Sequence, residues 1–535
     1  MQITPAMKYY STLILSAIAM TCMGCSDDTV EPTSKDWDNT ATLFETTDAA
    51  RFDTYYKPQV GYVGDPMPFY DPQAKDFKIF YLQEFRPNST TFHPFWCLTT
   101  TDAASYQSLG EVIPTGAITD LDGALGTGCT VYNDADRTYY TFYTGHSCDV
   151  ASTGIGEGVM MATSQDCRTW RKNPAFLLSP LGEYSTSDFR DPCVFKDDAG
   201  IYHMLVSTQK SGKGVIAEYT STDLNNWTSA GVFMTMMWDR FYECPDVFRM
   251  GDWWYMVYSE KHAAVRRVQY FKGRTLEELK SCTANDAGLW PDYREGMLDS
   301  RAFYAGKTAS DGTDRYIWGW CPTRPGSDNT NVGAYPAEPE WAGALVAHKL
   351  IQHPDGTLTL GRVDGIIEKY SRPMALKVMN TEGQATADNS GYSLSGDASV
   401  LFNRLGSCNR IEFTATATSP DAKFGVSLVR GIDSAKYYSM VVNPEGSGRH
   451  KINFEEEGPE GCGFVNGADG YVFDTPADNT YRITIINDNS VCTMYINDDV
   501  AFTARVYGIR KNCWSINSYG SDIRISDLQV YQAAE

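Results

Sequence analysis

Phe189-Arg190-Asp191-Pro192-Cys193-Val194-Phe195, followed after a polar turn by Ile201-Tyr202-His203-Met204-Leu205, is the stretch that decides the fold. A short apolar segment that ends in an aromatic residue, then a turn, then a strand dense in aromatics predicts two antiparallel strands. The same unit occurs five times before residue 362. Its register aromatics are 63, 63, 53 and 55 residues apart, and they are Phe69, Tyr132, Phe195, Phe248 and Phe303.

A β-unit repeated at a nearly constant spacing indicates the blades of a propeller. Between residues 51 and 362 no long amphipathic pattern interrupts these units, and Gly, Asp, Asn and Pro separate the strands. A large β-sandwich with similar hairpins is the alternative, but it does not explain why acidic residues recur in register. We therefore predict an all-β chain whose residues 51–362 form a five-bladed β-propeller.

The composition and the strand pattern of the sequence change after about residue 365. Aromatic density drops, and alternating strands appear, such as Arg410-Ile411-Glu412-Phe413-Thr414-Ala415. A chain of 535 residues also exceeds the size at which single cores stop growing, roughly 250–300 residues. Residues 363–535 are therefore predicted to form a separate C-terminal β-sandwich.

The first residues are predicted to be an export signal of the lipoprotein type. Lys8 supplies a positive charge, and residues 11–20 form an apolar stretch that is too short to span a bilayer. Gly24-Cys25 follows and resembles the cleavage site of lipoproteins, in which Cys25 becomes the lipidated first residue. An ordinary signal peptide cleaved nearby is the alternative. We expect residues 1–24 to be removed and Cys25 to carry the lipid.

Residues 25–50 are polar and acidic, and they are predicted to form a flexible tether. The tract Ser26-Asp27-Asp28 is similar to those that send some Gram-negative lipoproteins to the outer face of the cell. No second apolar run of membrane-spanning length follows. We therefore expect an exported lipoprotein at the outer membrane or cell surface, held there only by its N-terminal lipid.

Composition narrows the class of ligand. A formal net charge of -22 argues against nucleic acid, because such a field repels phosphate chains. A neutral oligo- or polysaccharide fits better, and the 13% aromatic content suits either sugar stacking or a β-sheet core. Apart from Cys22 and Cys25, the 12 remaining cysteines show no CxxC or histidine pattern. We expect no metal, no cofactor and a monomer.

Acidic residues recur beside the register aromatics. Asp65, Asp191 and Asp299 lie four residues before theirs, and Glu243 lies five before Phe248. Equivalent positions of successive blades surround one axis, so these side chains are expected to converge on one pocket. Carboxylates that share a pocket repel, and this separates their pKa values into acid and base roles. The proline after Asp65 and Asp191 predicts extended backbone at both acids.

Several of these segments resemble glycoside hydrolase family 32, the family of invertases, levanases and inulinases. The motifs that carry the resemblance are Arg190-Asp191-Pro192, Glu243-Cys244-Pro245-Asp246, Phe303-Tyr304-Ala305, Trp318-Gly319-Trp320 and Trp341-Ala342-Gly343. The family fold is a five-bladed propeller followed by a β-sandwich. The resemblance thus implies hydrolysis of fructose-type furanosyl linkages.

The resemblance also implies roles for individual residues. Asp65 is expected to be the nucleophile, Glu243 the general acid and base, and Asp191 a stabiliser that binds ring hydroxyls. A retaining mechanism needs the first two about 5 to 5.5 Å apart. Candidates for substrate contact, each with core packing or structural pairing as its alternative, are Arg190, Gln83, Trp96, Thr127, Asp246, Asp299, Tyr304 and Trp341.

One departure from the family pattern bears on function. The nucleophile of the family sits in Asn-Asp-Pro-Asn-Gly, whereas this chain has Gly64-Asp65-Pro66-Met67-Pro68. Two alternatives therefore stay open. One is a propeller hydrolase similar to the arabinose- and xylose-releasing family 43, and the other is a surface protein that binds glycans without cleaving them.

Overall fold

The computed structural model describes most of the chain after residue 53. The described residues are 54–85, 93–236, 241–262, 265–282, 296–323, 341–430, 436–456, 470–506, 509 and 513–533. Strands dominate this part of the chain, which confirms the predicted all-β class. The predicted signal and tether lie outside the described residues.

The propeller is built from five antiparallel blades, each assembled from strands that follow one another in sequence. Blade 1 contains β1 (Tyr62–Asp71), β2 (Asp76–Glu84), β3 (Phe95–Thr100) and β4 (Gln107–Ile113). Blade 2 contains β5 (Ala124–Asn133), β6 (Thr138–His146), β7 (Glu157–Ser164) and β8 (Arg171–Lys172). Blade 3 contains β9 (Tyr184–Lys196), β10 (Tyr202–Lys210), β11 (Lys213–Ser221) and β12 (Thr228–Thr235).

The last two blades complete the ring. Blade 4 contains β13 (Tyr242–Met250), β14 (Trp253–His262) and β15 (Val265–Gly273). Blade 5 contains β16 (Tyr304–Ser310), β17 (Arg315–Pro322), β18 (Gly343–Gln352) and β19 (Leu358–Gly361). Val63 of β1 pairs with Gly343 of β18, so blades 1 and 5 share one sheet. This pairing joins the first blade to the last.

Aromatic and aliphatic side chains fill the space between blades. Between blades 2 and 3, for example, Phe142 and Val194 belong to one buried cluster, and Trp227 contacts the Phe142 ring edge-on at 5.6 Å. The high aromatic content of the repeated strands is thus used mainly for packing. This explains why the aromatic residues repeat with the blades.

The innermost strand of every blade carries a β-bulge at the same level. Pairing skips residues 65–66, 127, 191–192, 244–245 and 305–306. The backbone enters the left-handed region at four of these sites, with φ of +30° at Asp65, +58° at Asp191, +52° at Cys244 and +55° at Ala305. Both aspartates lie in strands, as expected, but the backbone of each is left-handed and not extended at the acid itself. A bulge interrupts the alternation of side chains along a strand and turns one side chain in a new direction. The preference of a residue before proline for extended backbone does not predict this.

The bulges also correct the register of the fifth unit. In blade 5 the residue equivalent to Asp65 is Ala305, because β16 begins only at Tyr304. Phe303 and Asp299 therefore precede the innermost strand. The sequence similarity around Phe303 reflects a connecting segment and not the strand that faces the axis.

Helices and disulfides contribute little to the described structure. The helices are α1 (Val150–Thr153), α2 (Leu276–Ser281) and α3 (Asp364–Lys369). Within the described ranges, no helix has the length and apolar character needed to cross a bilayer. The cysteines that the structure describes are all free thiols, and most are buried.

The second domain is a β-sandwich whose strands form one continuous ladder. Its first strands are β20 (Arg372–Pro373), β21 (Val378–Asp388), β22 (Gly391–Phe402), β23 (Cys408–Ala417), β24 (Phe424–Arg430), β25 (Lys436–Gly446) and β26 (Arg449–Glu456). The others are β27 (Tyr471–Asp474), β28 (Thr480–Asp488), β29 (Val491–Ile496), β30 (Val500–Arg505), β31 (Cys513–Ser518) and β32 (Ile523–Gln532). The placement of the domain boundary after residue 362 stays a prediction.

Buried polar groups connect the propeller to the sandwich. Arg505 of β30 is 2% exposed and donates to the carbonyl oxygens of Pro322 at 3.0 Å and Cys321 at 2.6 Å. Asp299 is 1% exposed, and its carboxylate accepts hydrogen bonds from His348 at 2.9 Å and from the Thr503 amide at 2.6 Å. Buried carboxylates require such partners. Asp299 therefore serves this contact between domains.

We expect Asp299→Ala to destabilise the protein by about 3 kcal/mol or more, because His348 and Thr503 would lose a shared buried acceptor. Chemical denaturation followed by fluorescence measures this change. Asp421→Ala, at an exposed site of the sandwich, is the control and should change stability by less than about 0.5 kcal/mol. Equal stability of the two variants would contradict the role given to Asp299.

Candidate active site

A cavity of about 580 Å³ opens where the innermost strands begin. Each of the five blades contributes to its lining, with Asp65, Thr127, Asp191, Glu243 and Tyr304 among the residues that face it. The structure thus brings together the three carboxylates that were expected to converge. They come from blades 1, 3 and 4, and each is at or next to a bulge.

Asp65 lies at the bulge of β1 and accepts one hydrogen bond at each oxygen. The hydroxyl of Thr127 donates to Oδ2 at 2.8 Å, and the indole N–H of Trp320 donates to Oδ1 at 2.9 Å. Burial raises the pKa of Asp65 above its ordinary value, and these two hydrogen bonds act against that rise. Because the indole can only donate, it favours the ionised carboxylate.

Asp191 lies at the bulge of β9 and is 3% exposed. Its Oδ2 accepts a hydrogen bond from the Cys244 amide at 2.8 Å, and its own amide donates to the Thr144 hydroxyl at 2.9 Å. Burial raises the pKa of Asp191 to about 7, although Arg190 acts to lower it. The negative charge of Glu243 adds to the rise.

Glu243 is more open than the two aspartates, since its side chain is 30% exposed. The Tyr304 hydroxyl donates to Oε2 at 2.6 Å, and Arg190 Nη2 lies 3.5 Å from Oε1. The apolar residues that precede Glu243 in the sequence do not enclose its carboxyl group. Tyr242 packs into the core between blades 3 and 4, while Phe241 contacts the Arg190 guanidinium 4.2 Å from its ring centroid.

Arg190 is the centre of a charged network beside the cavity. Its Nη1 donates to Asp188 at 2.9 Å and to Glu157 at 3.1 Å. Although burial alone would lower it, the pKa of Arg190 is raised by Glu157, Asp191 and Glu243, so the guanidinium is always charged. The Glu157 carboxylate also accepts the Phe189 amide at 2.7 Å, which ties the start of the cavity wall to blade 2. Arg190 is thus held beside Asp191 and Glu243.

Trp341 forms one wall and explains the glycine before Asp65. A Cβ at Gly64 would lie 2.3 Å from the Trp341 ring, which is closer than any side chain tolerates. His93 also packs against Trp341, with ring centroids 4.8 Å apart. The indole therefore fills the space that the family asparagine would need.

Four predicted contact residues do not line this cavity. Gln83 is fully buried and donates to the Val60 carbonyl at 2.6 Å, Trp96 packs against the hydrophobic core, and Asp299 binds the sandwich. Asp246 lies toward the opposite ends of the innermost strands, where its carboxylate accepts a hydrogen bond from the Thr308 amide at 2.8 Å. These four residues therefore lie outside the cavity in which they were expected to contact substrate. The spacing of residues in one sequence does not show which face of a strand a side chain occupies, or whether the residue lies in a connecting segment.

Three further residues of the site were not predicted. Trp320 bonds Asp65, Glu157 bonds Arg190, and His93 lines the cavity while pairing with Glu84 at 2.6 Å. The Trp318-Gly319-Trp320 motif pointed to the correct strand but not to the side chain that matters. Glu157 and His93 belong to no motif, so only their positions in space identify them.

Comparison with known proteins agrees with this geometry. The model of the glycosyl hydrolases family 32 N-terminal domain matches residues 55–360, and the model of the GH32, BT1760-like, C-terminal domain matches residues 356–530. Sucrose-6-phosphate hydrolase of Staphylococcus xylosus is 27% identical over 271 residues, 48% of this chain and 51% of the relative. Raffinose invertase of Escherichia coli is 30% identical over 170 residues, 30% and 34% of the two chains. The chain spans about half or less of the length of these curated relatives.

Solved structures show the same fold over nearly the whole chain. Fructan 1-exohydrolase IIa from Cichorium intybus matches with a TM-score of 0.70 at 15% identity, covering 91% of this chain and 97% of its own. Sucrose-6-phosphate hydrolase from Lactobacillus gasseri matches with a TM-score of 0.68 at 18% identity, covering 95% and 99%. The likeness in these structures is one of fold. The family model that matches residues 55–360, over more than half of the sequence, shows that the chain belongs to glycosyl hydrolase family 32.

Proposed function

We propose that this protein is a retaining glycoside hydrolase that cleaves fructose-type furanosyl linkages, as found in sucrose, levan or inulin. The observation that carries the proposal is the meeting of Asp65, Asp191 and Glu243 in one cavity. The curated names of its relatives, sucrose-6-phosphate hydrolase and raffinose invertase, support the same substrate class. The match to family 32 argues against a family 43 type of hydrolase.

Asp65 is proposed as the nucleophile. Both of its oxygens accept hydrogen bonds, from Thr127 and Trp320, which holds the carboxylate in a fixed orientation and favours its ionised form. One oxygen attacks the anomeric carbon as the bond to the leaving group breaks, giving a covalent fructosyl ester. The indole and hydroxyl that position Asp65 thus also set the direction of attack.

Glu243 is proposed as the general acid and then the base. It gives a proton to the leaving oxygen in the first step, and takes one from water as the ester is hydrolysed. Its partial exposure lets water reach it, and the hydrogen bond from Tyr304 fixes one of its oxygens. Arg190, at 3.5 Å, stabilises the carboxylate that remains after the proton has left.

Asp191 is proposed to stabilise the transition state. An oxocarbenium ion develops positive charge on the sugar ring, and a nearby carboxylate lowers its energy. The amide of Cys244 holds Asp191 in place for this task. Its raised pKa means that the carboxylate is costly to ionise in the empty cavity, and a cationic ring would reduce that cost.

We also propose that the mature chain is a monomeric lipoprotein of the outer membrane or cell surface, anchored through Cys25. The Gly24-Cys25 sequence after an apolar stretch supports this. Export to a surface would place the cavity where large, neutral polysaccharides are available.

Purified protein incubated with sucrose, levan, inulin and an arabinan should release fructose or short fructans, as read by chromatography. Asp65→Asn and Glu243→Gln should each lower the rate by about 10²-fold or more, since each removes a group required in the chemical step. Glu183→Gln, with a side chain 68% exposed at the surface, is the matched control and should retain the full rate.

Release of arabinose alone would contradict the fructan assignment. Binding of a glycan that remains intact after long incubation would favour the alternative of a surface protein without catalysis. Full activity of Asp65→Asn would remove the basis of the mechanism.

Asp191→Asn should stabilise the folded protein at high pH. Folding raises the pKa of Asp191 from 3.8 to about 7, so the stabilisation from its proton is complete below about pH 4 and is lost as pH rises through 7. The loss amounts to roughly 4 kcal/mol, at about 1.4 kcal/mol per tenfold change in proton affinity. An asparagine has no proton to lose. The melting temperature of Asp191→Asn minus that of the parent should therefore grow from pH 4 to pH 8. A difference that does not change with pH would contradict this prediction.

Cys25→Ser should move the protein from the membrane fraction to the soluble fraction of cells that express the full sequence. The thiol is the atom that would carry the lipid, and serine provides no such acceptor. Cys22→Ser is the matched control and should leave the protein with the membrane. Equal fractionation of both variants would contradict anchoring through Cys25.

A further inference from the structure

A second cavity, of about 470 Å³, opens at the opposite ends of the same innermost strands. It shares no side chain with the acidic cavity, because its walls come from residues beyond the bulges. Asp246 and Lys307 face it from blades 4 and 5, and Arg315 closes one side. Its chemistry therefore differs from that of the first cavity.

A ring of five side chains forms the inner wall of this second cavity. Each blade supplies one of them from its innermost strand, one or two residues beyond the bulge: Met67, Cys129, Cys193, Asp246 and Lys307. In four of the five, the side chain accepts a hydrogen bond from a backbone amide of the following blade. The donors are the amides of Gly128, Val194, Val247 and Thr308, at 3.0, 3.1, 3.4 and 2.8 Å.

Lys307 breaks this pattern because an ammonium group cannot accept a hydrogen bond. Its side chain is 97% buried, and its Nζ donates across the channel to the Gly128 carbonyl at 3.1 Å. Among the residues that the structure describes, this is the single hydrogen bond of a group with three donors. Although burial acts to lower it, the pKa of Lys307 is raised by the facing thiols and by Asp246, so the group is charged at neutral pH.

Arg315 places a second cation at the same cavity. Its guanidinium lies 4.0 Å from the centroid of the Phe248 ring, and Nη1 donates to the Thr308 hydroxyl at 2.8 Å. The negative charge of Asp246 acts on Arg315 from nearby, while its Oδ2 accepts hydrogen bonds from the Thr308 amide and hydroxyl at 2.8 and 2.6 Å. In the described part of the chain, neither Lys307 nor Arg315 forms a salt bridge. Several N–H donors therefore face the cavity without a protein acceptor.

Cations cover two of the aromatic rings of this cavity. Arg315 covers Phe248, and Lys196 lies 4.7 Å from the centroid of Tyr202. Sugars bind by stacking on exposed aromatic faces, so these two rings are less suited to a neutral sugar. Unpaired cationic donors are instead what an oxyanion requires, because charge-assisted hydrogen bonds are strong in a partly buried site.

We propose that this cavity is a binding site for a small oxyanion, a carboxylate or phosphate group, held by the guanidinium of Arg315 and the ammonium of Lys307. The planar fork of Arg315 can donate two parallel hydrogen bonds to such a group, and Lys307 supplies a point charge beneath it. The cavity is lined by three basic side chains, Lys196, Lys307 and Arg315, and by two acidic ones, Asp134 and Asp246, so cations are in slight excess there although the chain has a net charge of -22. The site is independent of the hydrolytic reaction, because its residues are separate from the three acids.

The test uses the intact protein and three probes: inorganic phosphate, sulfate and malonate, each titrated calorimetrically against sodium chloride of equal ionic strength. We expect saturable binding of at least one probe. Arg315→Gln should weaken binding by about tenfold or more, since it removes a charge-assisted contact. Lys307→Met should weaken binding by a similar factor, provided that the variant folds. Comparison of the phosphate, sulfate and malonate affinities distinguishes a phosphate ligand from a carboxylate.

Arg274→Gln is the matched control. Arg274 also stacks on an aromatic ring, 3.9 Å from the centroid of Trp253, but it lies at the surface near Asp252. Binding in this variant should stay within about twofold of the parent, because the contact with the oxyanion is unchanged. No saturable binding of any probe, equal weakening by Arg274→Gln and Arg315→Gln, or competition between the probe and a fructan substrate would each overturn the proposal.

Discussion

Hydrogen bonds between neighbouring blades, all at the level of the bulges, are the constraint on which the rest of this structure depends. The contacts are Thr127 to Asp65, Asp191 to Thr144, Cys244 to Asp191, Tyr304 to Glu243 and Trp320 to Asp65. Four of these five contacts end on a carboxylate of the proposed catalytic set. The same acids thus connect the blades and form the active site. A change that breaks the hydrogen bonds of the site therefore also removes contacts between blades.

The bulges explain how strands of ordinary β-structure deliver these acids to the axis. A left-handed residue such as Asp191 costs of order 1 to 3 kcal/mol and is found where packing on every side fixes it. In return the carboxylate turns into the cavity, and the Cys244 amide, itself at a bulge, turns toward Asp191. Beyond the bulge, the strands return to regular pairing, and the side chains that face the second cavity are a thioether, two thiols, one carboxylate and one ammonium group. The two ends of the innermost strands therefore present different chemistry.

The sandwich is attached to the propeller by buried polar groups as well as by apolar packing. Arg505 reaches from β30 to the carbonyl groups at the end of β17, and Asp299 is bound by Thr503 on β30 and His348 on β18. Both contacts lie behind the strands of blade 5 that carry Tyr304 and Trp320. The sandwich therefore supports the blade whose side chains orient Glu243 and Asp65.

Asp65, Asp191, Glu243, Arg190, Thr127, Tyr304 and Trp341 were predictable from the sequence, because repeated strand units and short motifs specify which strand each residue occupies. The five blades and the sandwich followed from the same periodicity, which depends only on local alternation of side chains. The tertiary structure alone decided that Asp299 and Asp246 point away from the cavity and that Trp320, Glu157 and His93 belong to it. The physical reason is that a bulge adds one residue to a strand and so reverses which side chains face the axis, and that residues far apart in sequence meet only when the ring of blades closes.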